Sequence, residues 1–175
     1  MSSTLPDQAP PPPLIRPLTL SHDRAAVFAL IAASAEYVAM ERDEPPHPGL
    51  VDEYFTDAPP GLDPANGLRA GLFDGTRLLG LAEMSFGYPT AGDAYLGLMM
   101  VHPDARGRGV GPRLLRHLEA VARQRSAAQM LLAVLDANPR GRAFWEREGF
   151  RATGLSGSVT LGQKTQGVQR FAKPL

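Results

Sequence analysis

The chain predicts a single mixed α/β domain, and three observations carry that expectation. Apolar runs of strand length alternate with helical periodicity in the order β-α-(α)-β-β-β-α-β-α-β-β. A glycine-rich run, Arg106-Gly107-Arg108-Gly109-Val110-Gly111, closes one strand and opens an amphipathic helix. The length, 175 residues without an internal repeat, suits one core rather than two.

The elements follow in chain order. Residues 1–13 hold Pro6 and the run Pro10 to Pro13, a tail expected to be disordered or polyproline-like. The domain occupies 14–175. Leu14 to Leu18 reads as an edge strand because of Pro17. Ser21 is placed as an N-cap, and Val27, Leu30, Ile31, Ser34 and Val38 continue a helix to about Met40. Prolines make most of 41–66 loop, with a short helix at Leu50 to Phe55.

Leu68 to Phe73 and Arg77 to Phe86 flank Asp74-Gly75, the pattern of a hairpin. Tyr95 to Val101 is the strand before the glycines. Val110, Leu114, Leu118 and Val121 give the following helix its apolar face. Met130 to Leu135 is a further strand. Asn138-Pro139 opens a helix over 139–148 that Gly149 closes. Phe150 to Leu155 and Gln169 to Lys173 are the final strands. Together these give a central mixed sheet of about six to seven strands flanked by helices.

Composition removes several functions. There is no cysteine, so disulfides, thiolate metal sites and cysteine nucleophiles are excluded. The histidines (His22, His47, His102, His117) lack zinc-helix spacing, and no metal is expected. Formal net charge is zero, which argues against nucleic acid as a partner despite Arg106, Arg108, Arg113 and Arg116. Neither a signal peptide nor a membrane-length apolar run is visible, so the expected location is cytoplasmic, without a membrane partner.

Glycines at a strand-to-helix junction let main chain approach a ligand, and a helix N-terminus favours an anion. Three phosphate sites could use this run. A P-loop needs Lys-Ser/Thr, but Pro112 follows Gly111 and the first lysine is Lys164. A dinucleotide fingerprint needs a third glycine where Pro112 stands, and an acidic residue further on.

The third site fits. The segment Val101-His102-Pro103-Asp104-Ala105-Arg106-Gly107-Arg108-Gly109-Val110-Gly111 resembles the acyl-CoA pyrophosphate loop of the GNAT superfamily of N-acyltransferases, Gln/Arg-x-x-Gly-x-Gly/Ala. Arg106, Gly109 and Gly111 hold its defining positions. A second segment, Asn138 through Ala143-Phe144-Trp145 to Gly149-Phe150, is similar to the family's Asn…Ala-x-x-Phe-Tyr-x-x-x-Gly-Phe pattern. The resemblance spans about Tyr95 to Phe150, and element order extends it loosely over 14–175.

The resemblance implies acetyl-CoA as co-substrate, lying where two central parallel strands splay apart. Main chain of Arg106, Gly107, Arg108, Gly109, Val110 and Gly111 would hold the pyrophosphate. Backbone of Met99 and Val101 would pair with the pantetheine arm, Asn138 would bond to it, and Trp145 would pack beside the sulfur end. The implied activity is acetyl transfer to a primary amine by direct attack on the thioester, with a strand N–H near Met99 stabilising the oxyanion.

Two departures stand out. Trp145 replaces a tyrosine whose phenol is thought to protonate the leaving thiolate. A carboxylate frequent early in the strand before the loop is replaced here by Tyr95 and Gly97. The remaining base candidates are Glu83, Asp93 and Tyr95, with Glu83 first because a carboxylate inside the apolar stretch Leu78 to Phe86 is unexpected. The alternative to an enzyme is a CoA-binding sensor or partner-binding module that has lost turnover.

Acidic residues Glu41, Asp43, Glu44, Asp52, Glu53, Asp57 and Asp63 border the expected acceptor side, suggesting a cationic small-molecule or peptide amine. Homodimerisation is frequent among relatives. The acceptor itself is not encoded in any motif.

Overall fold

The computed structural model describes residues 12–175, so the expected tail lies almost wholly outside the described residues. The elements are β1 (Leu14–Pro17), α1 (Leu20–Ala33), α2 (Ala35–Arg42), α3 (Gly49–Thr56), β2 (Leu68–Asp74), β3 (Arg77–Phe86), β4 (Asp93–Val101), α4 (Val110–Gln124), β5 (Gln129–Leu135), α5 (Pro139–Arg147), β6 (Arg151–Leu161) and β7 (Lys164–Pro174). The strands form one seven-stranded sheet in the order β1-β2-β3-β4-β5-β7-β6. Only β4 and β5 run parallel. The chain connects them through α4, the crossover that a parallel pair requires.

Two apolar layers sandwich the sheet. Leu114, Leu115, Leu118 and Ala122 of α4 pack with Ala82, Met84, Leu96, Met130, Leu132, Phe150 and Phe171. On the other face Val27, Leu30, Ile31, Val38, Val51 and Tyr54 cover Leu78, Leu81 and Met100. Helices α1 and α3 cover this face as far as β4, and α2 reaches only the tip of the β6–β7 hairpin, which leaves the rest of that face of β5, β7 and β6 open.

Three expectations need correction. Ser21 is not the cap: α1 starts at Leu20 behind Thr19, whose N–H donates to Asp23 Oδ2 at 2.8 Å. Asp23 also pairs with Arg16 at 2.7 Å, and that guanidinium holds its carboxyl below the usual range. The helix expected to run to Met40 breaks at Ser34, and the bend lets Val27, Leu30, Ile31 and Val38 enter one layer.

The final hairpin is longer than its apolar content suggests. Its tip is held by α2, whose terminal carbonyls accept from Gln163 N–H, from Lys164 Nζ at 2.7 Å and from Gln166 Nε2 at 2.9 Å. These bonds satisfy acceptors that a helix leaves unpaired at its C-terminus.

Buried Glu119 was not apparent from the helical pattern. Its side chain is 3% exposed and takes Lys173 Nζ at 2.5 Å and Arg116 Nη1 at 2.9 Å, tying α4 to β7. Glu119→Ala strips the partner from Lys173 and is expected to lower unfolding free energy by about 3 kcal/mol. Urea unfolding reads this directly.

Candidate active site

The site begins with one extra residue in β4. Glu83 pairs with Leu98 but Met84 pairs with Leu96, so Gly97 is a bulge. The bulge reverses which residues face which layer. Before it Ala94 and Leu96 pack under α4; after it Leu98 and Met100 pack under α1 and α3. It also bends β4 away from β5. The two strands pair only over Asp93–Tyr95 and Gln129–Leu131, then part. The splay expected from the resemblance is therefore present.

The N–H of His102 donates to Leu79 O of β3 at 2.8 Å. By antiparallel alternation, Met100 also faces β3, and the main-chain groups of Met99 and Val101 turn towards the gap.

At the end of the gap, Gly107 (φ +73°) and Gly109 (φ +80°) take the left-handed conformation and swing the chain into α4. The N–H groups of Gly107 through Gly111 find no main-chain acceptor among the described residues. They stand at the positive end of a 15-residue helix, a donor set suited to a pyrophosphate.

Both regions open into one cleft of about 900 Å³. Arg106, Gly107, Gly109, Val110, Gly111, Met99, Val101, Asn138 and Trp145 all line it. Arg108 is exposed on the loop and does not. The far end is walled by Glu36, Tyr37 and Met40 of α2, residues no motif marked.

Asn138 caps α5, accepting Gly141 N–H at 2.9 Å through Oδ1. Trp145 lies edge-to-face on Phe144 and Phe150, at 4.9 and 5.3 Å between ring centroids. It is thus core on one side and cleft wall on the other. Asn138→Ala should cost about 1 kcal/mol in thermal unfolding through the lost cap. It should also weaken CoA binding measured by calorimetry, since cap and cleft share the side chain.

The three base candidates separate on geometry. Asp93 accepts from Thr90 N–H, Thr90 Oγ1 and Gln129 Nε2, so its carboxylate is committed to holding the strand. Burial raises the Tyr95 phenol above its ordinary value, which removes it as a base near neutrality.

Glu83 is 6% exposed, and burial pushes its carboxyl above the usual range. Among the described residues it accepts only from Ser85 Oγ, at 2.8 Å. The cross-strand neighbour Arg69 gives its guanidinium instead to the carbonyls of Tyr54, Pro64 and Asp57. Glu83 Oε2 occupies the place that a Cβ at Gly97 would fill. A carboxylate of β3 thus stands over the bulge glycine of β4, next to the point where β4 and β5 part.

The acidic segment is less charged than its composition suggests. Arg42 reaches Glu41, Glu44 and Glu53, and Arg24 pairs with Asp52. Asp63 caps a 3₁₀ turn. Among the described residues no cluster of three or more potential ligands could hold a metal, and no helix is long and apolar enough to cross a membrane.

Comparison with known proteins agrees with this geometry. The family model described as acetyltransferase (GNAT) family matches residues 32–150. A 67-residue stretch is 34% identical to streptothricin acetyltransferase of Streptomyces lavendulae, covering 38% of this chain and 35% of that protein. Matching chain thus spans about a third of that relative. An acetyltransferase from Thermus thermophilus superposes with a TM-score of 0.73 and 26% identity, over 93% of this chain and 97% of that one. A PaiA N-acetyltransferase from Thermoplasma acidophilum, solved with coenzyme A, shares the fold at TM-score 0.69 and 16% identity, over 93% and 99% of the two chains.

Proposed function

The chain belongs to the GNAT acetyltransferase family, and from that premise we propose that it is an acetyl-CoA-dependent N-acetyltransferase in which Glu83 is the general base. One observation carries this reading: a buried carboxylate with a raised pKa stands over Gly97, where β4 and β5 part.

The chain's own residues divide the work. Main-chain N–H groups from Gly107 to Gly111 bind the pyrophosphate, and the open edge of β4 at Met99 and Val101 aligns the pantetheine. Acetyl-CoA supplies an activated acyl carbon. Glu83 takes the proton from an ammonium group so that the neutral amine attacks that carbon. A strand N–H near Met99 stabilises the oxyanion. Trp145 packs beside the sulfur and donates nothing, because indole is too weak an acid. A thiol of pKa about 8–9 leaves acceptably without such help.

The acceptor is the primary amine of a small molecule or peptide. The relative named for streptothricin is in keeping with a small-molecule acceptor, while internal pairing in 41–66 weakens the electrostatic case for a cationic one. Thiol release from acetyl-CoA across a panel of primary amines tests the activity. Turnover supports the transferase; CoA binding without turnover of any amine supports the sensor instead.

A further inference from the structure

Arginines in this chain are mostly committed to carboxylates or carbonyls. Arg106, Arg108, Arg140 and Arg147 have no hydrogen-bond or ion-pair partner among the described residues, and Arg106, Arg140 and Arg147 line the cofactor cleft. Uncommitted guanidinium groups thus gather where an anion is expected. Arg170 is a further arginine without a carboxylate or carbonyl partner among the described residues, and it stands elsewhere. Its neighbour Phe171 points into the layer under α4, so Arg170 points to the open face of the sheet. Its guanidinium lies 5.5 Å from the Tyr95 ring centroid and 5.6 Å from that of Tyr88, with the Tyr95 hydroxyl as its polar neighbour.

Arg170 and the proposed base both bring their charged ends over β4. Arg170 pairs with Ala133 of β5, and the last pair between β4 and β5 is Tyr95 with Leu131, so Gly97 and Ala133 each lie two residues past the point where the strands part. Gly97 is overlain from β3 by the Glu83 carboxylate. Glu83 itself pairs with Leu98, and it is its carboxylate that reaches across to the bulge residue Gly97, while Arg170 stands beyond β5 next to Ala133. Gly97 and Ala133 are small and exposed, the floor of a trough with a carboxylate on the β3 side and a guanidinium on the β7 side. Both charged heads reach over β4, one at Gly97 and one at Tyr95. Two residues along a strand span about 7 Å, the length of a small molecule.

We propose that this trough binds an acceptor carrying both an amine and a carboxylate, with Glu83 at the amine and Arg170 at the carboxylate. A planar guanidinium held against tyrosine rings presents a fork of donors that matches a carboxylate. A polyamine has no group to place there. Free amino acids and short peptides share the required chemistry. The inference rests on the transferase reading.

The test measures thiol release by the full chain with free amino acids and dipeptides, each against its own carboxamide. Wild type should favour the acid over the amide by about tenfold or more in kcat/KM. Arg170→Gln should bring that ratio near one by losing activity on acids alone, with KM for acetyl-CoA unchanged. Arg170→Lys should retain part of it, and matched thermal midpoints exclude unfolding. Preference for free amino acids over dipeptides, or the reverse, identifies the source of the carboxylate. An unchanged ratio in Arg170→Gln, or amides accepted as well as acids by wild type, overturns the subsite. If no amine turns over, the transferase reading fails instead, and calorimetry with CoA present decides the subsite. Amino acid binding by wild type that Arg170→Gln abolishes supports it; no binding by wild type overturns it.

Discussion

Glu83→Gln is expected to lower kcat by about 10²–10⁴-fold, the range for a positioned proton acceptor. CoA affinity should not change, because the side chain lies outside the cofactor cleft. Burial raises the Glu83 carboxyl above the ordinary glutamate value, so wild-type kcat/KM should rise with pH through a midpoint above about 4.3. The variant should lack that limb.

Stability should move the other way. An acid whose folded pKa is raised contributes stability below its unfolded value and loses it as pH climbs through the folded one. Glu83→Gln should therefore be more stable than wild type at pH 7 to 8, and the gain should vanish in acid. Thermal unfolding over that range checks the sign. A loss of activity with a gain of stability is the signature of a site residue held against its burial cost. A Glu83 that merely fills the sheet would leave kcat untouched.

Gly97→Ala should approach the same kinetic defect without touching any ionisable group. The new Cβ takes the space of Glu83 Oε2, so the carboxylate must swing aside. Displacing a reacting group by about 1 Å is enough for roughly a 10²-fold loss in kcat. The obstructed atom ends a flexible side chain, and the backbone at Gly97 is not left-handed, so unfolding free energy should change by less than about 1 kcal/mol. Combining it with Glu83→Gln should add little to the loss from Glu83→Gln alone, because both remove one interaction. A full additive loss in the double variant would show that Gly97 acts through the bulge rather than through Glu83.

The local elements of this protein were legible in its sequence. The order of strands and helices, the Asp74-Gly75 hairpin, the glycine-rich turn into α4 and the Asn138 cap each depend on residues a few positions apart. So does the anion site, since main-chain donors need only a turn and a helix start. Glu83 could be singled out as out of place within β3, but nothing along the chain says what it faces.

Its position over Gly97 and the placing of Arg170 over Tyr95 come from strand register. A single extra residue in β4 sets that register, and a bulge is invisible until the partner strand is aligned. The break at Ser34, the burial of Glu119 and the long polar hairpin of β6 and β7 have the same origin. Each is stabilised by groups distant in sequence: the sheet under α1 and α2, Lys173 beneath α4, and the α2 carbonyls that hold the hairpin tip. Sequence determined which cofactor chemistry the loop can serve, because that chemistry is local. Only the tertiary structure decided where a base and an acceptor could stand, because those positions are summed across four strands.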